Sequence, residues 1–114
     1  MPRLVRELLQ DMLDEARFLV DQVTLTSVDD FLANEVSKRA FVRSLEIIGE
    51  AAKKVPADVR IQDDSIAWRS ICGMRDRLIH DYSGVDYGIV WDAAVNEAPA
   101  LAKKLERLLE VLPE

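Results

Sequence analysis

Much that marks secreted, fibrous or membrane-spanning chains is scarce here. Cys72 is the only cysteine. It can form no disulfide within the chain, and it fits a reducing cytoplasm, where a buried structural thiol is its ordinary role. Four glycines and four prolines in 114 residues exclude a collagen-like, loop-rich or disordered chain. No apolar run approaches the ~20 residues that span a bilayer. The segment Met1-Pro2-Arg3-Leu4-Val5-Arg6-Glu7 lacks the unbroken apolar stretch of a signal peptide, so none is expected. There is one histidine, His80. With no cysteine partner and no second histidine, only carboxylates remain to complete a metal site, and neither metal nor cofactor is expected. Positive charge is also short, with 15 Lys and Arg against 21 Asp and Glu, a net charge of −6. That argues against broad duplex binding, which needs many cation–phosphate contacts. It leaves room for a small basic cleft.

What is present in quantity is apolar periodicity. Hydrophobic residues make up 49% of the chain, enough for one core, and the length suits one domain over residues 1–114. Val5, Leu8, Met12, Ala16, Leu19 and Val23 recur every three or four residues and predict a helix over 3–23. Ser27 or Asp29 can start a short helix through Phe31 and Leu32. The next helix runs from 34 or 35 to 55. Val36, Ala40, Ile47, Ala51 and Val55 form one stripe, and Phe41, Leu45, Ile48 and Ala52 a second beside it. So broad an arc predicts burial on more than one side. Gly49 lies inside this helix at a cost of about 1 kcal/mol against Ala, which predicts close approach of another helix. Pro56 ends it. Residues 57–64 read as a polar connection with room for one helical turn. A third long helix follows, from 65 to 80 or 82, with Ala67, Ile71, Met74 and Leu78 on its core face and Ser83-Gly84 as its stop. Asp86 caps a last helical region that Pro99 should kink or split. No strand pattern or repeat is found. The expected fold is all-α, an up-and-down antiparallel bundle of four to five helices.

Chemistry concentrates in Arg75-Asp76-Arg77-Leu78-Ile79-His80-Asp81-Tyr82. On a helical wheel centred on Ile71, Leu78 and Tyr82 lie near the buried centre, Arg75 near its edge, and His80 on the opposite face. Asp76 and His80 are spaced i, i+4, so the carboxylate can orient the imidazole. Arg75 carries a planar fork suited to phosphate. The set suits phosphodiester chemistry without a metal. Breaking RNA through its 2′-hydroxyl needs a base and an acid. One histidine per chain therefore points to two copies facing across a two-fold axis, and the broad arc on the 34–55 helix is a second reason to expect a dimer.

Spacing alone also admits plainer roles. A histidine near a helix end commonly caps it or complements its dipole. Arg77 and Asp81 are expected to form a surface i, i+4 pair, and Tyr82 to sit at the core edge with its hydroxyl toward water. Arg39, Arg43 and Glu46 make a salt-bridged face that can border the cleft. Trp68 can stack on a base, although its place on the apolar arc favours core packing.

The stretch Trp68-Arg69-Ser70-Ile71-Cys72-Gly73-Met74-Arg75-Asp76-Arg77-Leu78-Ile79-His80-Asp81-Tyr82 resembles the signature of the HEPN superfamily, and more closely that of HepT-like toxins. That signature is Arg, a polar residue, three more residues, His, any residue, Tyr. Arg75, Asp76, His80 and Tyr82 match it position by position. Leu45-Glu46-Ile47-Ile48-Gly49-Glu50-Ala51-Ala52 is similar to the family's central helix, and Val85-Asp86-Tyr87-Gly88-Ile89-Val90-Trp91 to the start of its last helical region. The resemblance implies a helical homodimer with Arg75 and His80 in a composite cleft. It implies a metal-independent ribonuclease toxin acting on RNA, tRNA or mRNA among the candidates. It further implies a minimal nucleotidyltransferase antitoxin that transfers AMP to the motif tyrosine, here Tyr82. Many relatives carry Asn where this chain has Asp76, whose charge opposes RNA phosphate. The competing expectation is a non-catalytic HEPN module that engages nucleotide or a nucleotidyltransferase.

Overall fold

A computed structural model describes residues 2–81 and 83–113. Their order is α1 (Pro2–Leu25), α2 (Val28–Ala33), α3 (Glu35–Lys54), α4 (Ala57–Arg60), a 3₁₀ turn (Ile61–Asp63), α5 (Trp68–His80), α6 (Tyr87–Asp92), a π turn (Ala93–Glu97) and α7 (Ala98–Val111). The chain is all-α, as its periodicity predicts.

Local chemistry sets the helix starts. Ser27 caps α2 by accepting from the Asp30 amide at 3.1 Å, and Asn34 caps α3 by accepting from Ser37 at 3.0 Å. The Asp86 carboxylate accepts from Gly88 and Ile89 and starts α6. Each satisfies amides that have no partner within the helix. Helix α5 starts at Trp68, later than the periodicity predicts, because Ser65 is held in a turn. Its amide and hydroxyl both bond Asp63 Oδ1. The Trp68 indole N–H closes this corner on the Asp63 carbonyl at 3.1 Å.

Leu9, Met12, Ala16 and Leu19 of α1, Phe41 and Ala52 of α3, and Leu105 and Leu108 of α7 form the centre of the core. Phe31 of α2 packs on Phe41 and Trp91, with ring centroids 4.6 and 5.2 Å away. Helix α3 lies between α1 and α5. Its broad apolar arc is therefore taken up on both flanks by the same chain and does not itself call for a second copy. Val36, which the stripe places in the core, is 78% exposed.

Pro99 perturbs its helix as expected, by a route the sequence did not specify. It sits in the first turn of α7, directly after the π turn. Proline removes one N–H and its ring collides with the carbonyl four residues back in a regular α-helix. The wider turn, in which the Ala98 amide reaches the Ala93 carbonyl, carries the chain past that collision without ending the helix.

Candidate functional site

Arg75, Asp76 and His80 lie on the last two turns of α5, and α3 fixes the first of them. Gly49 is buried against α5. A Cβ there would stand 2.2 Å from Arg75 Cβ and 2.9 Å from the Ile71 carbonyl oxygen. The costly glycine thus brings the helices close enough for the Arg75 stem to lie directly on the α3 backbone. The Arg75 side chain is 23% exposed. Its Nε is buried and finds no acceptor among the described residues.

Arg75 Nη1 lies 3.2 Å from Asp76 Oδ1. The same oxygen accepts from Lys53 Nζ near the end of α3. Lys53, then Arg75, hold the Asp76 carboxyl below its ordinary range by hydrogen bonding and charge. Asp76 therefore remains ionised and serves as a shared counter-ion for two cations on two helices.

His80 is the last residue of α5 and is exposed. It lies about 7–8 Å along the axis from Arg75 at the usual rise. No side-chain hydrogen bond or ion pair joins it to Asp76 among the described residues, where the Asp76 carboxylate meets Lys53 and Arg75. The i, i+4 spacing lets the two meet, but Lys53 and Arg75 draw the carboxylate toward α3. His80 faces outward at the helix C-terminus, where a cation is favoured.

The other candidates scatter. Arg39 and Arg43 are exposed, and Arg43 Nη1 lies 3.7 Å from Glu46 Oε1. No bond joins the three to Arg75, Asp76 or His80 among the described residues. Trp68 is buried, with the Arg60 guanidinium 5.8 Å from its ring centroid, at the opposite end of α5 from His80. Its packing matches the core role. The surface pair expected between Arg77 and Asp81 does not form among the described residues. Asp81 has already left the helix (φ −110°, ψ 34°) as its cap, so its side chain no longer stands one turn above Arg77. Tyr82 lies outside the described residues. Cys72 is half-buried against the core.

Helix α5 also borders a mostly apolar cavity of about 230 Å³, lined by Leu45, Ile71, Met74 and Leu101 and by the polar Arg77 and Glu97 among others. Among the described residues no three His, Cys, Asp or Glu side chains gather to hold a metal. No helix of the described residues is long and apolar enough to cross a membrane.

Lys53 is the participant that sequence reasoning missed. It lies 23 residues from Asp76, beyond any single-helix spacing rule. The only indirect signal was Gly49, which announces that α3 and α5 approach closely one turn before Lys53.

The family described as "Ribonuclease HepT-like" matches residues 7–108. A protein named "Putative RNase TTE0752" from Caldanaerobacter subterraneus subsp. tengcongensis is 45% identical over 105 residues, covering 92% of this chain and 94% of the relative. "Putative RNase MJ0125" from Methanocaldococcus jannaschii is 38% identical over 110 residues, covering 96% and 95%. "Probable ribonuclease HepT" from Thermococcus cleftensis is 35% identical over 108 residues, covering 95% and 98%. No solved structure matches the chain. The family match and these near full-length likenesses bear out the family resemblance seen in the sequence, and the chain belongs to the HepT-like family of the HEPN superfamily.

Proposed function

We propose that this protein is a metal-independent endoribonuclease that works through Arg75 and His80 in a cleft between two copies of the chain. The observation that carries the reading is the arrangement on α5. A guanidinium is held on the α3 backbone at Gly49, and a solvent-facing imidazole ends the same helix. The 2′-hydroxyl of RNA attacks phosphorus while His80 of one copy, neutral, takes its proton. Arg75 stabilises the charge on the non-bridging oxygens. The P–O5′ bond breaks as the P–O2′ bond forms, and His80 of the second copy, protonated, gives its proton to the departing 5′-oxygen. The products are a 2′,3′-cyclic phosphate and a 5′-hydroxyl. Purified protein should cut single-stranded RNA in a chelating buffer and leave DNA of the same sequence intact. Equal cutting of both, or cutting only on adding a divalent ion, contradicts the reading.

The dimer rests on the need for two imidazoles and on the position of α5. That helix packs mainly on α3 and leaves Ile79 exposed next to the cleft residues. Sedimentation at micromolar concentration should show about twice the 12.9 kDa chain mass, since a standard interface of about 1,600 Å² holds there. A monomer at that concentration rules out the composite cleft.

Within the same reading the protein is the toxin of a toxin–antitoxin pair. A minimal nucleotidyltransferase antitoxin silences it by moving AMP from ATP to Tyr82: the phenolic oxygen, losing its proton, bonds the α-phosphorus as the bond to the β-phosphate breaks and pyrophosphate leaves. The new phosphodiester would compete with RNA for Arg75 and add negative charge at the cleft. Co-expression with such a partner should add one or more AMP masses to the intact protein, and Tyr82→Phe should abolish the addition. Modification that survives Tyr82→Phe assigns that tyrosine a structural role only. One observation favours the non-catalytic module instead: Asp76 already occupies the Arg75 guanidinium. The chelator experiment separates the two.

A further inference from the structure

Asp76 is awkward in an RNA cleft, because a carboxylate beside Arg75 should repel phosphate. The structure answers with a second cation. Lys53 and Arg75 approach a single oxygen, Asp76 Oδ1, from two different helices. The cluster carries two positive charges and one negative, so it is net positive by one on a chain of net charge −6. It is also open to solvent, with the Asp76 and Lys53 side chains 43% and 40% exposed. A carboxylate oxygen shared by an ammonium and a guanidinium is close in geometry and charge to a phosphate oxygen held by the same pair. The carboxyl stays ionised because both cations lower its affinity for a proton. Protonation near neutral pH therefore does not dissolve the cluster.

We propose that Lys53 is a second phosphate-binding residue of the RNA cleft, paired with Arg75, and that Asp76 holds the two cations in place as an internal counter-ion with which RNA phosphate competes. The inference rests on the ribonuclease reading for the nature of its ligand. Two consequences follow. Removing Lys53 costs RNA affinity in its own right, not only by leaving Asp76 uncompensated. Removing the charge of Asp76 frees both cations and tightens binding.

The test is fluorescence anisotropy of a labelled, 2′-O-methylated single-stranded oligonucleotide with the full-length protein across a range of salt, with cleavage of the unmodified RNA run in parallel. Lys53→Met should weaken binding roughly tenfold, the scale of one hydrogen bond to a charged group. It should also reduce the salt slope by about 0.7, the value for one lost contact to a single strand. Lys53→Arg should keep most of the affinity. Lys54→Met, which removes an adjacent exposed charge on the same helix, should change neither. Asp76→Asn should bind more tightly than wild type. The deciding arm is Lys53→Met in the Asp76→Asn background. A persistent tenfold loss there supports a direct phosphate contact. No loss shows that Lys53 only neutralises Asp76, and overturns the proposal. Lys53-dependent binding without cleavage by wild type overturns the ribonuclease reading and leaves the phosphate contact standing. Cleavage with unchanged Lys53→Met binding does the reverse. If wild type binds no oligonucleotide, both fall.

Discussion

Gly49→Ala will destabilise the fold by about 1–3 kcal/mol, the usual cost of forcing extra carbon into a packed contact. It will also cut RNA cleavage by roughly 10²-fold, the scale expected when a positioned group moves by about 1 Å. Two effects oppose each other. Alanine is the better helix former by about 1 kcal/mol, and on an open helix face the substitution would stabilise. Here the new Cβ meets Arg75 Cβ at 2.2 Å and the Ile71 carbonyl oxygen at 2.9 Å. Neither is the far end of a flexible side chain, so relief requires α5 to move off α3. Movement of α5 carries Arg75, Asp76 and His80 with it and separates Asp76 from Lys53. A thermal melt should show a fall of roughly 4 °C or more per kcal/mol for a domain near this size. A variant that melts as high as wild type and cuts RNA as fast would show that the close approach has no bearing on the site.

The elements that could be read from sequence are those whose cause is local. Ser27, Asn34 and Asp86 cap helices because their oxygens reach amides two or three residues on, and such residues show in any sequence. Gly49 could be read because a glycine inside a helix is costly and asks for a reason. Pro99 announced a perturbation but not its form, since a kink, a break and a π turn all relieve the same collision. The failures share a cause. Periodicity put Val36 in the core because it says which way a side chain faces and not where the neighbouring helix stops. The Arg77–Asp81 pair depended on one more residue of helix than α5 has. Motif spacing brought Asp76 to His80, whereas the carboxylate turns to Lys53, a residue that no pattern along α5 contains. Arg75, Asp76 and His80 were identifiable as a set. Which of them touch is decided by the packing of α3 on α5.

Arg75→Ala and His80→Ala should each cost RNA cleavage about 10²–10⁴-fold, the range typical of a lost acid–base or charge-stabilising group. Each acts for its own reason. His80→Ala removes the only imidazole in the chain, and in a symmetric dimer it removes acid and base together. His80 is exposed at the end of α5, and its side chain makes no hydrogen bond or ion pair with the described residues, so the fold should be unaffected. Arg75→Ala removes the fork that would meet the phosphate in the proposed mechanism and leaves Asp76 to Lys53 alone. Arg75→Lys should restore little, because a point charge does not reproduce a planar pair of donors. The most direct measurement is the single-turnover rate at which wild type and His80→Ala cleave one defined single-stranded RNA in a chelating buffer, with circular dichroism showing both folded. Wild type should cleave rapidly, and His80→Ala at a rate at least 10²-fold lower. Equal rates from the two proteins would exclude His80 from the chemistry.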